Sequence, residues 1–200
     1  MTLEEQFGCI DIYVFDQILR GNIVAGMTVL DAGCGGGRNL VYLLREGCEV
    51  FGCDQNSEAV EYVREMAGML APRLPASNFQ IAPIERMPFR DAFADVVMCV
   101  SVLHFAPDEA HFRAMLSELW RTLRIGGVLF CRLGSTIGME FERVRENVFH
   151  VGDGQEWFLV SEAMLMGLTA ELGAELIDPL KTTVVQNHRC MTTWVLRKCA

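Results

Sequence analysis

The densest chemistry-bearing stretch of the 200 residues is Val29-Leu-Asp31-Ala-Gly33-Cys34-Gly35-Gly-Gly37-Arg38-Asn39. An apolar run leads into it and a helical stretch follows. Glycines at such a corner let the backbone turn sharply and approach a ligand with no Cβ in the way. The start of the following helix favours anionic groups. A second signal is Asp54, in Phe51-Gly52-Cys53-Asp54-Gln55. It lies roughly 20 residues beyond the loop, a spacing that lets one carboxylate accept both hydroxyls of a ribose. A vicinal diol donating twice to one carboxylate is a match in geometry and in charge. Together the two signals specify a nucleoside-bearing cofactor. The dinucleotide pattern G-x-G-x-x-G is not met, because Arg38 and Leu40 occupy the two places where its third glycine could fall. No Gly-Lys-Ser/Thr follows, so this is not a P-loop.

The loop resembles the first motif of the class I, seven-stranded S-adenosylmethionine-dependent methyltransferases, Asp/Glu-x-Gly-x-Gly-x-Gly. Asp31, Gly33, Gly35 and Gly37 stand at every fixed position. The resemblance implies S-adenosyl-L-methionine as cofactor, with Gly33, Cys34 and Gly35 against its methionine part and Gly37 also among the cofactor-binding residues. It implies that Asp31 anchors the loop or the amino group, and that Asp54, Gln55 and Val100 also contact the cofactor. A third segment, Ala82-Pro83-Ile84-Glu85-Arg86-Met87-Pro88-Phe89, is similar to the family's Gly-Asp-Ala-x-x-Leu-Pro-Phe. There the Asp accepts the adenine amino group. Pro83 holds that place here, so Glu85 or a backbone carbonyl has to replace it, with Ile84 supplying an amide and an apolar contact. A fourth, Asp95 to Phe105, resembles the Val-Leu-His-His-like segment that borders the reacting centre. His104 matches the first His and is the candidate catalytic residue, although a lone histidine at an apolar strand end is more often a packed residue than a base. Leu119 to Gly127 resembles the family's Arg-x-Leu-x-Pro-Gly-Gly, with Ile125 for Pro. The resemblance runs from Met27 to Leu133.

These motifs sit on an alternation of apolar strands and helices. Strands are expected at 27–32, 49–53, 78–82, 95–100 and 128–133, and helices at 38–45, 57–70 and 109–123. Phe112, Met115, Leu116, Leu119 and Leu123 make an amphipathic stripe. Farther on, 161–172 reads as a helix, and Ala174–Ile177 and Cys190–Leu196 as strands. The expected fold is α/β: a three-layer αβα sandwich formed by one domain, 1–200. Its sheet is seven-stranded and mostly parallel, with one antiparallel C-terminal strand, Cys190–Leu196. The cofactor should lie across the carboxyl ends of the first, second and fourth strands. Gly134–Gln155 shows no period. Gly134–Trp157 and the Lys181–Arg189 connection are expected to form the lid and the acceptor pocket, with His150 and Trp157 in its wall. The alternative location is the N-terminal helix around Tyr13 and Phe15.

Composition excludes several classes. The net charge is −9 at pH 7, with Arg143 and Arg145 interleaved among Glu140, Glu142 and Glu146. An acidic surface repels phosphate backbones, so nucleic acid is not an expected partner. The N-terminus lacks a signal-peptide pattern and the longest apolar run falls short of the ~20 residues of a spanning helix. No membrane association and a cytoplasmic location are expected, with a small-molecule acceptor (O, N, S, C or metalloid) as partner. The sequence does not fix the oligomeric state. A general base, if the acceptor needs one, could be His104, His150, His188 or Glu140. An NAD(P)-dependent oxidoreductase, a non-catalytic S-adenosylmethionine-binding protein and an aminopropyl transferase remain as alternatives. The eight cysteines have no metal-ligand spacing, so no metal is expected. Thiol titration of the denatured, freshly purified protein should therefore count eight free thiols. A native disulfide by mass spectrometry, or stoichiometric zinc by elemental analysis, would overturn this reading.

Overall fold

The computed structural model describes residues 2–152, 154–186 and 188–200; Met1, Asp153 and Asn187 lie outside it. The expected wall segments Gly134–Trp157 and Lys181–Arg189 are thus each described but for one residue. In chain order the elements are α1 (Leu3–Phe7), α2 (Ile12–Leu19), β1 (Thr28–Ala32), α3 (Val41–Arg45), β2 (Glu49–Asp54) and α4 (Ser57–Leu70). There follow β3 (Phe79–Ile81), β4 (Ala94–Val100), α5 (Glu109–Thr122) and β5 (Leu123–Gly134). The last are β6 (Arg143–Arg145), β7 (Val148–Val151), β8 (Gln155–Phe158), α6 (Glu162–Glu171), β9 (Ala174–Val185) and β10 (Arg189–Lys198). Side-chain caps start the main helices: Asn56 accepts from the Glu58 and Ala59 amides, Asp108 from His111 and Ser161 from Met164.

The seven-stranded sheet has the order β3-β2-β1-β4-β5-β10-β9. The pairs from β3 through β5 are parallel, while β10 runs antiparallel to both β5 and β9. Strands β2 and β4 leave β1 on opposite sides, so the chain reverses its direction of travel there. That reversal opens a crevice at the carboxyl ends of the strands. Side chains alternate faces, as the strand period of two requires. Leu30, Val97, Cys99, Leu129 and Cys131 pack with Phe112 and Leu119 of α5 and Leu165 and Leu168 of α6. Val29, Val96, Met98, Val128 and Phe130 pack with Val14 of α2, Leu43 of α3 and Val60 and Val63 of α4. Three layers result.

The structure departs from the sequence reading at four places. Helix α3 begins at Val41, because residues 37–40 form a turn in which the Leu40 amide donates to Gly37 O at 2.9 Å. Gly126-Gly127 does not close α5 but lies inside β5. The register with β4 jumps from Ala94↔Leu123 to Val96↔Val128, so 124–127 bulge outward and Arg124 pairs with Asp95. Strand β9 continues past Ile177 to Val185, which makes Lys181–Arg189 the end of the β9–β10 hairpin rather than a loop. Finally, 134–155 is not irregular throughout: β6, β7 and β8 form a separate antiparallel sheet. Strands of three or four residues with a register shift between Arg143 and Arg145 are too short to display a period. Among the described residues no helix is long and apolar enough to cross a membrane.

Trp194 of β10 is fully buried, and its Nε1 donates to Thr169 Oγ1 of α6 at 3.0 Å. Trp194→Ala removes the ring and leaves that hydroxyl short of a partner. It should lower unfolding free energy by about 3–5 kcal/mol in urea titrations; a loss under about 1 kcal/mol would contradict this packing.

Candidate functional site

The crevice holds a cavity of about 670 Å3, within the size range of small-molecule sites. Its wall starts at the loop after β1. The Gly33 and Cys34 amides both donate to Cys53 O, at 2.8 and 3.0 Å, which pins the loop against the end of β2. Two of the loop glycines do different work. At Gly35, φ is +49° and a Cβ would meet nothing within 4 Å, so this backbone faces open cavity. At Gly37, φ is +73° and a Cβ would lie 2.5 Å from Met66 Cε and 3.0 Å from Val63 Cγ2. Gly37 therefore seats the loop on α4 and does not line the cavity.

Two carboxylates define the electrostatics. Asp54 lines the cavity, with Oδ2 accepting the Gly35 amide and Oδ1 the Asn56 amide, each at 2.9 Å. A carboxylate oxygen accepts more than one hydrogen bond, so each keeps capacity for a further donor. Asp31 is the opposite case. It is 1% exposed, and neither of its oxygens has a hydrogen-bond partner among the described residues. Burial drives its pKa up to about 7, against the favourable influence of Arg38 and with a small contribution from Asp54. An unpaired buried carboxylate beside a cavity fits a cationic ligand group.

The rest of the wall comes from β3's exit, β4's exit and α5. Ala82, Pro83, Ile84 and Glu85 line one side, with Gln55 beyond Asp54. Glu85 Oε2 lies 3.6 Å from His111 Nε2, and His111 and Met115 stand one turn apart on α5. Val100, Ser101, Val102 and Phe105 form the floor and far edge. Ser101 is held at φ +64°, a left-handed conformation unfavourable for a non-glycine residue. Its amide donates to Arg132 O at 2.7 Å, which fixes the turn as β4 ends. Among the residues expected from sequence, Gly33, Cys34, Gly35, Asp54, Gln55, Ile84, Glu85 and Val100 meet at this cavity, and Asp31 lies behind the loop. The sequence reading assigned no site role to Arg38, Asn39, Ser101, Val102, His111 or Met115. The last two carry a legible signal. Helix α5 follows β4 closely, which puts its first turns over the crevice.

His104 is not in the cavity wall. It is 2% exposed, its ring stacks on Trp157 at 4.0 Å, and its Nδ1 accepts the Gly134 amide at 3.3 Å. Burial lowers its pKa to about 4. Trp157 completes that stack, while His150 is exposed on β7 with its amide donating to Glu142 O at 2.9 Å. Glu140 borders a separate hollow on the small sheet. His188 lies at the turn between β9 and β10. The structure thus does not bring the expected bases together with the loop and Asp54.

The raised Asp31 pKa has a consequence for stability. Its folded value, about 7, exceeds the ordinary 3.8, so the fold binds a proton that the unfolded chain releases. Stability should fall as pH rises from about 4 to 7 through this one group. Asp31→Asn removes the penalty. Without ligand, its melting temperature should exceed that of the parent at pH 8, and the gap should close near pH 4. A variant equal to or less stable than the parent at pH 8 would contradict an unpaired Asp31.

Comparison with known proteins agrees with this geometry. Residues 30–131, just over half the chain, match the family model described as methyltransferase domain. A phthiotriol/phenolphthiotriol dimycocerosates methyltransferase of Mycobacterium tuberculosis is 34% identical over 106 residues, 52% of this chain but only 36% of that protein. The chain thus spans about a third of the length of such a curated relative. A tRNA (carboxymethyluridine(34)-5-O)-methyltransferase of Arabidopsis thaliana is 26% identical over 106 residues, covering 53% of this chain and 24% of that protein. In structure, the Burkholderia thailandensis 1,6-didemethyltoxoflavin-N1-methyltransferase, crystallised with bound 1,6-didemethyltoxoflavin and S-adenosylhomocysteine, superposes with a TM-score of 0.74. The identity is 17%, over 97% of this chain and 80% of that one. On the family match, with its glycine loop, its strand order and its cavity all in place, the chain belongs to the methyltransferase-domain family.

Proposed function

We propose that the chain, 1–200, is one domain that binds S-adenosyl-L-methionine in the crevice and transfers its methyl group to a small molecule. The observation that carries this reading is the buried, unpaired Asp31 carboxylate behind an open Gly35 backbone. The cofactor's amino group is the cation that Asp31 lacks. Asp54 has the remaining acceptor capacity for ribose hydroxyls, and Gln55 lies beside it. Where Pro83 displaces the family's acidic residue, Glu85, steadied by His111, accepts the adenine amino group, and Ile84 and Met115 give the ring an apolar slot.

When bound, the cofactor supplies a methyl group already activated by the positive sulfonium. The chain's own work is then to orient, to exclude water and to hold the acceptor in line. His104 is neutral at pH 7 and its Nδ1 accepts a backbone amide. We therefore assign it a positioning role, fixing Gly134 and Trp157 behind the site. The acceptor class is a small molecule rather than RNA because the net charge of −9 opposes a polyanion. Six of the eight cysteines are buried thiols, which supports a cytoplasmic setting.

S-Adenosylhomocysteine at ~100-fold over its dissociation constant should stabilise the protein by roughly 2.7 kcal/mol. A melting shift with NADH and none with either form of the cofactor would refute the reading. Gly35→Val should abolish that shift in a folded protein, since a branched side chain at φ +49° both strains the loop and fills the cradle. Unaltered affinity in the folded variant would contradict the loop assignment.

A further inference from the structure

Beyond Asp31, the buried side-chain polar atoms without a partner among the described residues are Arg132 Nε and Thr193 Oγ1. They are neighbours. Thr193 of β10 stands opposite Arg132 of β5 in the antiparallel register, so the two side chains leave the same face of the sheet. Around them the contacts to α2 and to the residues just before it are polar. The Arg132 guanidinium lies 5.1 Å from the centroid of the Tyr13 ring, and the Tyr13 hydroxyl meets Thr183 Oγ1 at 2.8 Å. Arg132 Nη1 reaches Asp11 Oδ2 at 3.2 Å, and Arg38 Nη2 comes to the same oxygen at 3.9 Å. Charge-assisted bonds of this kind run to about 2.7–2.9 Å, so Asp11 is a loose partner to both guanidiniums. Arg38 is also attracted by the buried Asp31 carboxylate, so Arg132 is the guanidinium that Asp11 holds more closely, and its Nε has no partner among the described residues. Asn39 ties this cluster to the crevice. Its Oδ1 accepts the Asp11 amide at 2.9 Å, and Asn39 and Arg38 both line the cavity.

We propose that Arg132, Thr193 and Arg38 form an anion subsite at the edge of the cofactor cavity. It takes a carboxylate or phosphate group carried by the methyl acceptor. The assignment rests on the S-adenosylmethionine reading above and narrows its acceptor to small anions. Asp11, delivered by the segment between α1 and α2, stands in for that anion when no acceptor is bound. An entering oxyanion accepts from Arg132 Nε and from the Thr193 hydroxyl, the two buried donors without a partner among the described residues. Arg132 also has the planar, fixed set of donors suited to such groups. This places the acceptor on the N-terminal side of the cavity, near Tyr13, and not at His150.

The test uses the whole chain saturated with S-adenosylhomocysteine, at constant ionic strength, with benzoate, phenyl phosphate and neutral benzamide as probes. Calorimetry with the parent protein should show one or both anions binding at least about tenfold more tightly than benzamide, the tighter one naming the acceptor's anion. Arg132→Leu should weaken the anion at least about tenfold while S-adenosylhomocysteine affinity stays within about threefold. Arg132→Lys should keep part of the preference. Thr193→Val, nearly isosteric, should weaken the anion by about threefold or more, and it decides the matter if Arg132→Leu fails to fold. Equal binding of benzoate, phenyl phosphate and benzamide, no binding of either anion, or anion binding unaffected in a folded variant would overturn the subsite. A loss of S-adenosylhomocysteine affinity in Arg132→Leu with anion binding intact would give the guanidinium to the cofactor's own carboxylate and also overturn it. Failure of the parent to bind S-adenosylhomocysteine appears in the first titration, before any probe is added, and refutes the underlying reading instead.

Discussion

A buried carboxylate that accepts no hydrogen bond is unfavourable unless a ligand completes it, and among the described residues Asp31 is in that position. Its place follows from the fold. Strand β1 is central in the parallel part of the sheet, paired with β2 through Asp31↔Gly52 and with β4 through Asp31↔Met98. The loop that follows it is pinned to Cys53 O, and Asp54, one residue farther, holds the Gly35 amide. Two carboxylates are thus fixed by backbone hydrogen bonds and strand register at the point where the sheet reverses its winding. The protein keeps an unfavourable group on a strand paired on both sides, and that combination is expected of a site prepared for a cation.

The N-terminal segment depends on the same crevice. Helix α2 is joined to the sheet by apolar Val14 and by a row of polar contacts: Tyr13 with Thr183, Gln17 with Asp178, and Asp16 with Lys181. Such contacts are exchangeable with water in a way that a fully apolar interface is not. The Asp11 carboxylate just before α2 bridges Arg38 of the cavity and Arg132 of β5. One wall of the site is therefore held by charge, whereas Phe105, also in the wall, packs against the stacked rings of His104 and Trp157.

The layers were legible in the sequence because β4 and β5 alternate between two apolar faces and α4 and α5 carry clear stripes. The glycine loop and Asp54 were legible because their chemistry is local: each needs a residue type at one spacing. What escaped the reading is what depends on distant pairings. The small sheet of β6, β7 and β8 has strands too short to show a period. The length of β9 is set by its partner β10, not by its own composition. The role of Arg132 is invisible in Cys131-Arg132-Leu133, since it comes from Thr193 on the next strand and Asp11 far upstream. His104 illustrates the converse. Its neighbours in sequence resemble a catalytic segment, but the Gly134 amide, supplied by another strand, accounts for its one bonded ring nitrogen.

The pH dependence of S-adenosylhomocysteine affinity tests the central claim most directly. If Asp31 must be ionised to hold the ligand's ammonium, the dissociation constant should be flat above about pH 7. It should rise about tenfold for each unit below that, because the proton held at a pKa of about 7 has to be expelled. Asp31→Asn should bind weakly and lose this slope. A parent protein whose affinity is constant from about pH 5 to about pH 8, or an Asp31→Asn variant that keeps the slope, would contradict the account.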